Sequence, residues 1–438
     1  MPRDPGVFNS GCRNLFWVLL SQKLEKSMHE NKLQTSRRHF LKTSLSLPVA
    51  LAAGPAVLAQ SAAADTPAPA ATASAALPMR QLGKSGRQVT MLCMGGMEQA
   101  LSPQYIDIAW SMGIRYFDSA DCYIGGKSEK IFGAWLAKYP ERRQEIFLVS
   151  KDHPHQGPKQ MLEMIDRRLD ACGTKYLDAF YIHGIGPNEY GKDSLDWPKS
   201  DEFKQVAETL KSSGKVKMVG FSCHDGRLND YLNAAAQGGF LDIIMLKYTP
   251  FFTKGDAFDQ ALDAAHNAGI GLVAMKTMRN TGDVPKRLPE FDKLGLTTHQ
   301  AVLHAVWSDP RISVVCNMLD NVGQMENSAG AARSYKTPLK TAHLNLLKET
   351  ILASRRTLCP GCPSCDTFAA TSDFALFDIA RFVTYYEQDG LTEARDFYHA
   401  LPASARNAVG VDLAALRDRC AFRIDYPDIV SRAQRCFA

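Results

Sequence analysis

The sequence predicts an α/β protein in which a (β/α)8 TIM barrel over residues 77–345 precedes a small, mainly helical domain over residues 346–438. Eight short apolar runs alternate with segments whose apolar residues recur at helical spacing. Together these units occupy roughly 250 residues, the usual size of such a barrel. A doubly wound open sheet is the competing interpretation, but Met94-Gly95-Gly96-Met97 after the first run lacks the G-x-G-x-x-G spacing of that fold.

The predicted elements follow in chain order. A short hairpin over Leu82–Val89 turns at a Gly-Lys-Ser-Gly sequence. The eight predicted strands are Met91–Met94, Tyr116–Asp118, Ile146–Lys151, Ala179–His183, Val216–Ser222, Ile243–Lys247, Leu272–Lys276 and Ile312–Cys316. Helical spacing is seen between them in Ser128–Lys138, Lys159–Cys172, Asp201–Ser212, Ala257–Ala268 and Thr298–Trp307.

The N-terminal segment has the pattern of an export signal. Ser36-Arg37-Arg38-His39-Phe40-Leu41-Lys42 precedes a mildly hydrophobic run from Thr43 to Ala59. This run is too short and too diluted with Ala, Gly and Pro to be a resident membrane helix, and its last small residues permit cleavage after Ala59. The pattern is typical of a twin-arginine signal. An amphipathic helix after a chance arginine pair is the alternative.

We therefore predict a twin-arginine signal peptide over residues 1–64 and a flexible Ala/Pro/Thr-rich linker over residues 65–76. The mature protein would be periplasmic or otherwise exported, without a stable membrane span after processing. Met28 would give the segment before the arginines a conventional length, so the true start is Met1 or Met28.

Asp118, Lys151 and His183 each end a predicted strand, and Tyr123 follows in the loop after Asp118. In a barrel of parallel strands these ends face the mouth where active sites are built. A phenol titrates near pH 10, and an adjacent ammonium favours its ionised form, so Lys151 paired with Asp118 would lower the pKa of Tyr123. The alternative is a buried Asp–Lys scaffold pair and a satisfied core histidine.

Five short motifs occur in order at their strand ends: Phe117-Asp118-Ser119-Ala120 with Tyr123, Val149-Ser150-Lys151, Tyr181-Ile182-His183, Val219-Gly220-Phe221-Ser222 and Glu326-Asn327. In this respect the chain resembles the aldo/keto reductases over about residues 77 to 335. The resemblance implies NADP- or NAD-dependent reduction of a carbonyl or oxidation of an alcohol. Tyr123 would then be the general acid or base, and a neutral His183 would orient the carbonyl.

The resemblance also assigns cofactor contacts. It implies that Ser222 binds the nicotinamide carboxamide, and that Cys223 and Met245 stand where the family has Asn and Gln. Lys276 follows the place of an aromatic ring and could serve the pyrophosphate, as could Arg279. Glu326 and Asn327 suit the adenine edge. Because Asn317 and Gly323 replace basic residues that often hold the 2′-phosphate, the choice between NADP and NAD stays open.

A cysteine motif, Cys359-Pro-Gly-Cys362-Pro-Ser-Cys365, lies in the C-terminal segment. Thiolates two residues apart can converge on one cluster, whereas such close neighbours rarely form disulfides with each other. The segment resembles the ferredoxin-like domain of some aldo/keto reductases, with Cys420 in place of the last cysteine. The ligands of a second cluster are missing, so we predict a single [4Fe-4S] cluster bound by Cys359, Cys362, Cys365 and Cys420. A zinc site built from the same four cysteines, and reduced or disulfide-bonded relics with Cys436 as a stray partner, are the alternatives.

Composition limits the classes of partner. The chain has 438 residues, 45% apolar residues and a formal net charge of +5, and it shows no basic stripe with interleaved aromatics, so we expect no nucleic acid. We expect a small-molecule carbonyl or alcohol substrate and an electron-transfer partner if the cluster relays electrons. A non-catalytic barrel that acts as a cofactor-binding or electron-transfer module is the alternative function.

Overall fold

In a computed structural model of the protein, the described residues are 76–96, 101–223, 225–251, 254–277, 284–354, 365, 368, 372–387, 392, 394–420, 422 and 424–437. The predicted signal peptide, nearly all of the predicted linker, Cys359 and Cys362 lie outside these ranges.

The first elements are two short antiparallel strands, β1 (Met79–Gln81) and β2 (Gln88–Thr90), which pair as a hairpin. Leu82 and Val89 are buried against side chains of the barrel interior. The backbone N–H of Lys84 donates to the carbonyl of Gly269, 2.7 Å away, just before a barrel strand begins. The hairpin therefore covers the N-terminal end of the barrel.

Eight parallel strands form the closed barrel that the sequence predicted. They are β3 (Leu92–Met94), β4 (Tyr116–Asp118), β5 (Phe147–Asp152), β6 (Leu177–Ile182), β7 (Val216–Cys223), β8 (Ile243–Lys247), β9 (Gly271–Met275) and β10 (Ile312–Asn317). Their hydrogen-bonded order is β10-β3-β4-β5-β6-β7-β8-β9, and β10 closes the ring on β3. The (β/α)8 architecture is thus confirmed.

β4 and β8 have the predicted bounds, whereas the other strands differ from prediction by one or two residues at one or both ends, because ladder hydrogen bonds, and not apolar runs, decide where a strand stops. β5 continues to Asp152, which pairs with Ile182 of β6. β6 stops before His183, although the backbone N–H of His183 still donates to the carbonyl of Asp152 at 2.9 Å. The register therefore brings the predicted polar strand ends to one rim.

Helices surround the barrel and continue beyond it. Around the strands they are α1 (Pro103–Ser111), α2 (Ser128–Lys138), α3 (Met161–Ala171), α4 (Pro187–Tyr190), α5 (Asp201–Ser212), α6 (Leu228–Gly238), α7 (Ala257–Asn267), α8 (Pro289–Asp292), α9 (Thr298–Trp307) and α10 (Val322–Ser334). Those that follow are α11 (Thr341–Ser354), α12 (Leu376–Glu387), α13 (Ala394–Ala400), α14 (Ala403–Arg406), α15 (Leu413–Arg419) and α16 (Tyr426–Phe437). The additional C-terminal region is therefore helical where it is described.

Three apolar clusters organise the core. One fills the barrel interior, and a larger one lies between the strands and the surrounding helices. A third joins Val302 of α9 with Leu347 of α11 and Leu376 of α12, so the C-terminal helices pack against the barrel's own helices. No helix within the described residues is both long enough and apolar enough to cross a membrane.

Candidate active site

Side-chain alternation along the strands directs three of the predicted polar residues inward. Tyr116, Val149 and Tyr181 belong to the interior cluster. Because residues two apart on a strand point to the same face, Asp118 and Lys151 point inward with them, and His183 continues the same alternation past the end of β6. The barrel sequence thus sets these groups around one opening.

The ammonium of Lys151 is the centre of the site. Its Nζ donates to Asp118 Oδ2 at 2.6 Å, to the carbonyl of Ser119 at 2.9 Å and to Tyr123 Oη at 3.0 Å. An ammonium has three donors, so these three acceptors match its capacity. The Lys151 and Asp118 side chains are only 1% and 2% exposed. A buried charge pair of this kind depends on complete hydrogen bonding, which the lysine has.

Asp118 is the other member of the buried pair, and its two carboxylate oxygens have different surroundings. Burial raises the pKa of its carboxyl above the usual range, while the ammonium of Lys151 draws it back down. Its other oxygen, Oδ1, is buried and accepts no hydrogen bond among the described residues. The contact of Oδ2 with the ammonium of Lys151 is therefore what opposes the cost of burying this carboxyl.

The loop that carries Tyr123 has an unusual backbone. Ile124, Gly125 and Gly126 all have positive φ, of 52°, 61° and 80°. A β-branched residue rarely adopts this conformation, and such strain is concentrated at functional sites. The backbone N–H of Asp121 donates to the carbonyl of Lys151 at 3.0 Å. The loop is thus fixed to the end of β5, which holds the phenol beside the ammonium.

His183 borders a second polar group, formed by Asp121, Cys122 and His153. Its Nδ1 lies 3.8 Å from Asp121 Oδ1 and 3.7 Å from Cys122 Sγ. Burial, followed by repulsion from His153, lowers the pKa of His183 to about 3. The ring is therefore neutral near pH 7 and lies edge-on to Tyr123, with 5.4 Å between ring centroids.

His153 and Asp121 form the charged part of this group. Burial opposes the charge on His153, but the hydrogen bond from its Nδ1 to Asp121 Oδ2, at 3.1 Å, raises its pKa overall. Burial would raise the pKa of Asp121, but His153 and His183 together hold it well below its usual range. The carboxylate of Asp121 is therefore shared between His153, with which it pairs, and the neutral ring of His183, 3.8 Å away.

The predicted nicotinamide contacts on β7 and β8 point to different faces. Ser222 is 2% exposed, alternates inward with Met218, and its Oγ accepts the backbone N–H of Gly184 at 2.8 Å. Met245 also lies in the interior cluster. Cys223 is fully buried in the outer cluster between strands and helices, so it is not brought together with Ser222.

The remaining predicted contacts follow β9 and β10. Lys276 directly follows β9 with a φ of 59°, again at the C-terminal end of a strand. Glu326 is exposed on α10, whereas Asn327 is half-buried, and its Oδ1 accepts a hydrogen bond from Thr297 Oγ1 at 3.2 Å. The two residues are thus neighbours with different environments.

The end of β9 offers an independent test of whether a polar cofactor fits. The hydroxyl of Thr277 is buried and has no hydrogen-bond partner among the described residues. An orphaned hydroxyl beside Lys276 at the mouth is the kind of group that a bound polar ligand satisfies. The residues present therefore suit a polar group such as a nicotinamide dinucleotide.

Two of the four predicted cluster ligands lie within the described residues. Cys365 and Cys420 are 5% and 8% exposed and belong to the same C-terminal apolar cluster, although they are 55 positions apart in sequence. Cys420 follows α15 directly, and its Sγ lies 3.8 Å from the hydroxyl of Tyr426. Cys365 and Cys420 thus lie in the same buried apolar cluster.

Sequence reasoning missed Asp121 and His153. Both directly follow the strand ends that it did identify, three residues after Asp118 and two after Lys151. A second polar residue beyond each strand end was the available signal, because these loops also face the barrel mouth. Only the register of β4 against β5 and of β5 against β6 shows that the two meet.

Comparison with known proteins identifies the family that the barrel resembles. The model of the "Aldo/keto reductase family" matches residues 90–328, more than half of the chain. An uncharacterized oxidoreductase, YrpG, from Bacillus subtilis is 28% identical over 44% of this chain and 64% of its own length. A D-threo-aldose 1-dehydrogenase from Pseudomonas is 25% identical over 57% of this chain and 80% of its own. An L-galactose dehydrogenase from Arabidopsis thaliana is 24% identical over 52% and 75%.

Proposed function

The chain belongs to the aldo/keto reductase family, and on that premise we propose that it is an exported, nicotinamide-dependent oxidoreductase. It reduces a carbonyl or oxidises an alcohol at the barrel mouth. The observation that carries this proposal is the set of contacts of Lys151, whose ammonium joins Asp118 and the phenol of Tyr123 at 2.6 and 3.0 Å. A scaffold ion pair alone would not need the phenol.

Tyr123 is the acid that gives its proton to the carbonyl oxygen during reduction, and the base that takes it back during oxidation. Because Lys151 Nζ donates to Tyr123 Oη, the phenolic proton does not point at the lysine. The ammonium stabilises the phenolate that remains after transfer. Asp118 keeps the ammonium in place.

His183 positions the substrate. As a neutral imidazole it has one N–H to donate, and a proton on Nε2 lets it hold the carbonyl oxygen near Tyr123. A bound nicotinamide would supply the hydride in reduction and accept it in oxidation. Ser222 at its carboxamide, Lys276 at its pyrophosphate and Glu326 with Asn327 at its adenine would hold the cofactor.

The test is turnover with the tyrosine removed. The purified chain is assayed for bound nicotinamide and then offered a panel of carbonyls, alcohols and aldoses, because two relatives are sugar dehydrogenases by name. We expect Tyr123→Phe to lose roughly 10²–10⁴-fold in kcat while still binding nicotinamide. Undiminished turnover would remove Tyr123 from its role. Absence of both bound nicotinamide and turnover would favour the non-catalytic module.

We further propose one [4Fe-4S] cluster in the C-terminal region. Four thiolates would hold it, those of Cys359, Cys362, Cys365 and Cys420, and burial of Cys365 and Cys420 in one apolar cluster supports the assignment. We expect about four irons and four sulfides per chain, lost in Cys420→Ser but kept in Cys436→Ser. Bound zinc in place of iron would overturn the proposal.

We also propose export by the twin-arginine route. Residues 1–64 fused to a reporter should carry it to the periplasm, and Arg37→Lys with Arg38→Lys should retain it in the cytoplasm. Export of the double variant would contradict the route.

Since an exported enzyme lacks a free nicotinamide pool, the cofactor would travel bound and be regenerated by a second substrate, or the cluster would relay electrons to a partner protein. Turnover of cofactor-loaded enzyme with two substrates and no added partner would favour the first.

A further inference from the structure

The segments that follow β4, β5 and β6 bring together four side chains of types that bind metal ions, and Tyr123 and Lys151 are not among them. They are Asp121, Cys122, His153 and His183, and one ligand atom from each lies within 4.8 Å of the other three. We propose that this cluster binds a single Zn²⁺ ion, through one carboxylate oxygen, one thiolate and two imidazole nitrogens.

The distances suit tetrahedral zinc. Bonds of about 2.0–2.2 Å to nitrogen and oxygen and about 2.3 Å to sulfur place neighbouring ligand atoms about 3.4–3.6 Å apart. His183 Nδ1 lies 3.8 Å from Asp121 Oδ1 and 3.7 Å from Cys122 Sγ, and His153 Nδ1 lies 3.1 Å from the other carboxylate oxygen, Asp121 Oδ2. All four ligand atoms lie within 4.8 Å of one another, so zinc binding would draw them together by no more than about 1.4 Å.

A second observation concerns Asp121. Its Oδ1 is buried, lies 3.8 Å from Nδ1 of His183, and accepts no hydrogen bond among the described residues. A buried carboxylate oxygen without a donor is costly. A cation at the centre of the cluster removes that cost.

The backbone holds the ligands in place before any ion arrives. The N–H of Asp121 donates to the carbonyl of Lys151, and the N–H of His183 donates to the carbonyl of Asp152. The N–H of His153 donates to the carboxylate of Asp152 at 2.8 Å. These bonds fix the loops after β4, β5 and β6 to each other, so binding orders little additional chain.

Charge and protons balance at the site. As zinc binds, the S–H bond of Cys122 breaks and its proton goes to solvent. Nδ1 of His153 exchanges its hydrogen bond to Asp121 for the bond to zinc, and its proton moves to Nε2 in a neutral ring or to solvent from a charged one. The carboxylate and the thiolate then neutralise the two positive charges of the ion. Zinc on Nδ1 of His183 leaves the ring proton on Nε2, which is the tautomer that donates to a carbonyl in the proposed function. Zinc binding itself does not require that the protein be an active enzyme.

The experiment uses the full chain with its C-terminal region intact. Protein stripped with a chelator is titrated with Zn²⁺ against a chromogenic competitor, and zinc-edge X-ray absorption reports the ligands. We expect one ion with one sulfur at about 2.3 Å and three nitrogen or oxygen atoms at about 2.0–2.2 Å. Cys122→Ser should remove the sulfur, and His153→Gln should lower affinity by more than about 100-fold, since even indirect partners cost about 10–100-fold.

His155→Gln is the matched control. Its ring stacks on His153, 5.9 Å between centroids, but it is not among the four ligands, so zinc affinity should be unchanged. Zinc bound by four sulfurs, equal affinity in all variants, or no binding would each overturn the proposal and leave a hydrogen-bonded His–Asp–His group. Tyr123→Phe separates this outcome from failure of the proposed function, because it should bind zinc fully while losing turnover.

Discussion

Lys151 combines two properties that oppose each other. Its ammonium is buried, which is costly for a charged group, and it donates three hydrogen bonds, to Asp118, Ser119 and Tyr123. An uncompensated charge in this position would cost several kcal/mol. The same ammonium that the fold must satisfy is therefore the group that can stabilise a phenolate.

The ion pair can be tested by its effect on stability. Asp118→Asn removes the charge that faces Lys151 and should lower the free energy of unfolding by about 3–5 kcal/mol, because a buried cation is left without an anion. Urea denaturation of this variant, of Lys151→Met and of the double variant forms a complete cycle. The double variant should be more stable than the sum of the single losses implies, and strict additivity would show that the pair does not interact.

At the scale of elements, α2 joins the site to the helical layer through a buried carboxylate. Glu129 is 1% exposed, accepts a hydrogen bond from Ser150 of β5, and lies 3.2 Å from Arg168 of α3. Burial raises its pKa to about 7, against the opposing effect of Arg168. Ser150, the neighbour of Lys151 in β5, is therefore hydrogen-bonded to a carboxyl whose pKa is about 7.

This raised pKa predicts a pH-dependent stability. The folded state binds the Glu129 proton more tightly than the unfolded state, so the stabilisation is complete below about pH 4.5 and is lost as the pH rises through about 7. Glu129→Gln should remove this contribution, on the order of 3 kcal/mol between pH 4.5 and 8. Urea denaturation at several pH values measures it, with exposed Glu163→Gln as the control. Parallel pH profiles for wild type and Glu129→Gln would contradict the prediction.

The barrel, and the placement of Asp118 and Lys151 at one rim, could be predicted from the sequence because both depend on local pattern. Asp118 ends β4 and Lys151 is the penultimate residue of β5, and parallel strand ends meet at one rim. The partners of His183 did not follow, because Asp121 and His153 belong to different loops and only strand register joins them. Cys223 shows a second limit, because residues adjacent in sequence can face opposite sides of a strand. Ser222 faces the barrel interior, whereas Cys223 packs against the surrounding helices.

For the whole molecule, the C-terminal helices share a core with the barrel. Val302 of α9 and Leu376 of α12 are both buried in the third apolar cluster. α11 (Thr341–Ser354) also runs without a break through residues 345 and 346, where the sequence placed a domain boundary. This continuity favours unfolding of the two regions together.

Leu376→Ala tests that coupling. Removing a fully buried leucine should cost about 2–5 kcal/mol. If the regions unfold together, the whole transition followed by far-ultraviolet circular dichroism moves to lower denaturant. Val409→Ala, at a side chain 86% exposed, should change stability by less than about 0.5 kcal/mol. A barrel transition that Leu376→Ala leaves unmoved would show that the domains unfold separately.

The central claim is that Lys151 acts on the substrate through Tyr123, and a kinetic cycle tests it most directly. kcat/KM is measured for wild type, Tyr123→Phe, Lys151→Met and the double variant, below the melting temperature of each. If the ammonium serves only to tune the phenol, Lys151→Met should reduce activity greatly in wild type and hardly at all once Tyr123 is gone. Losses that multiply in the double variant would show that the two residues act independently and would contradict the account.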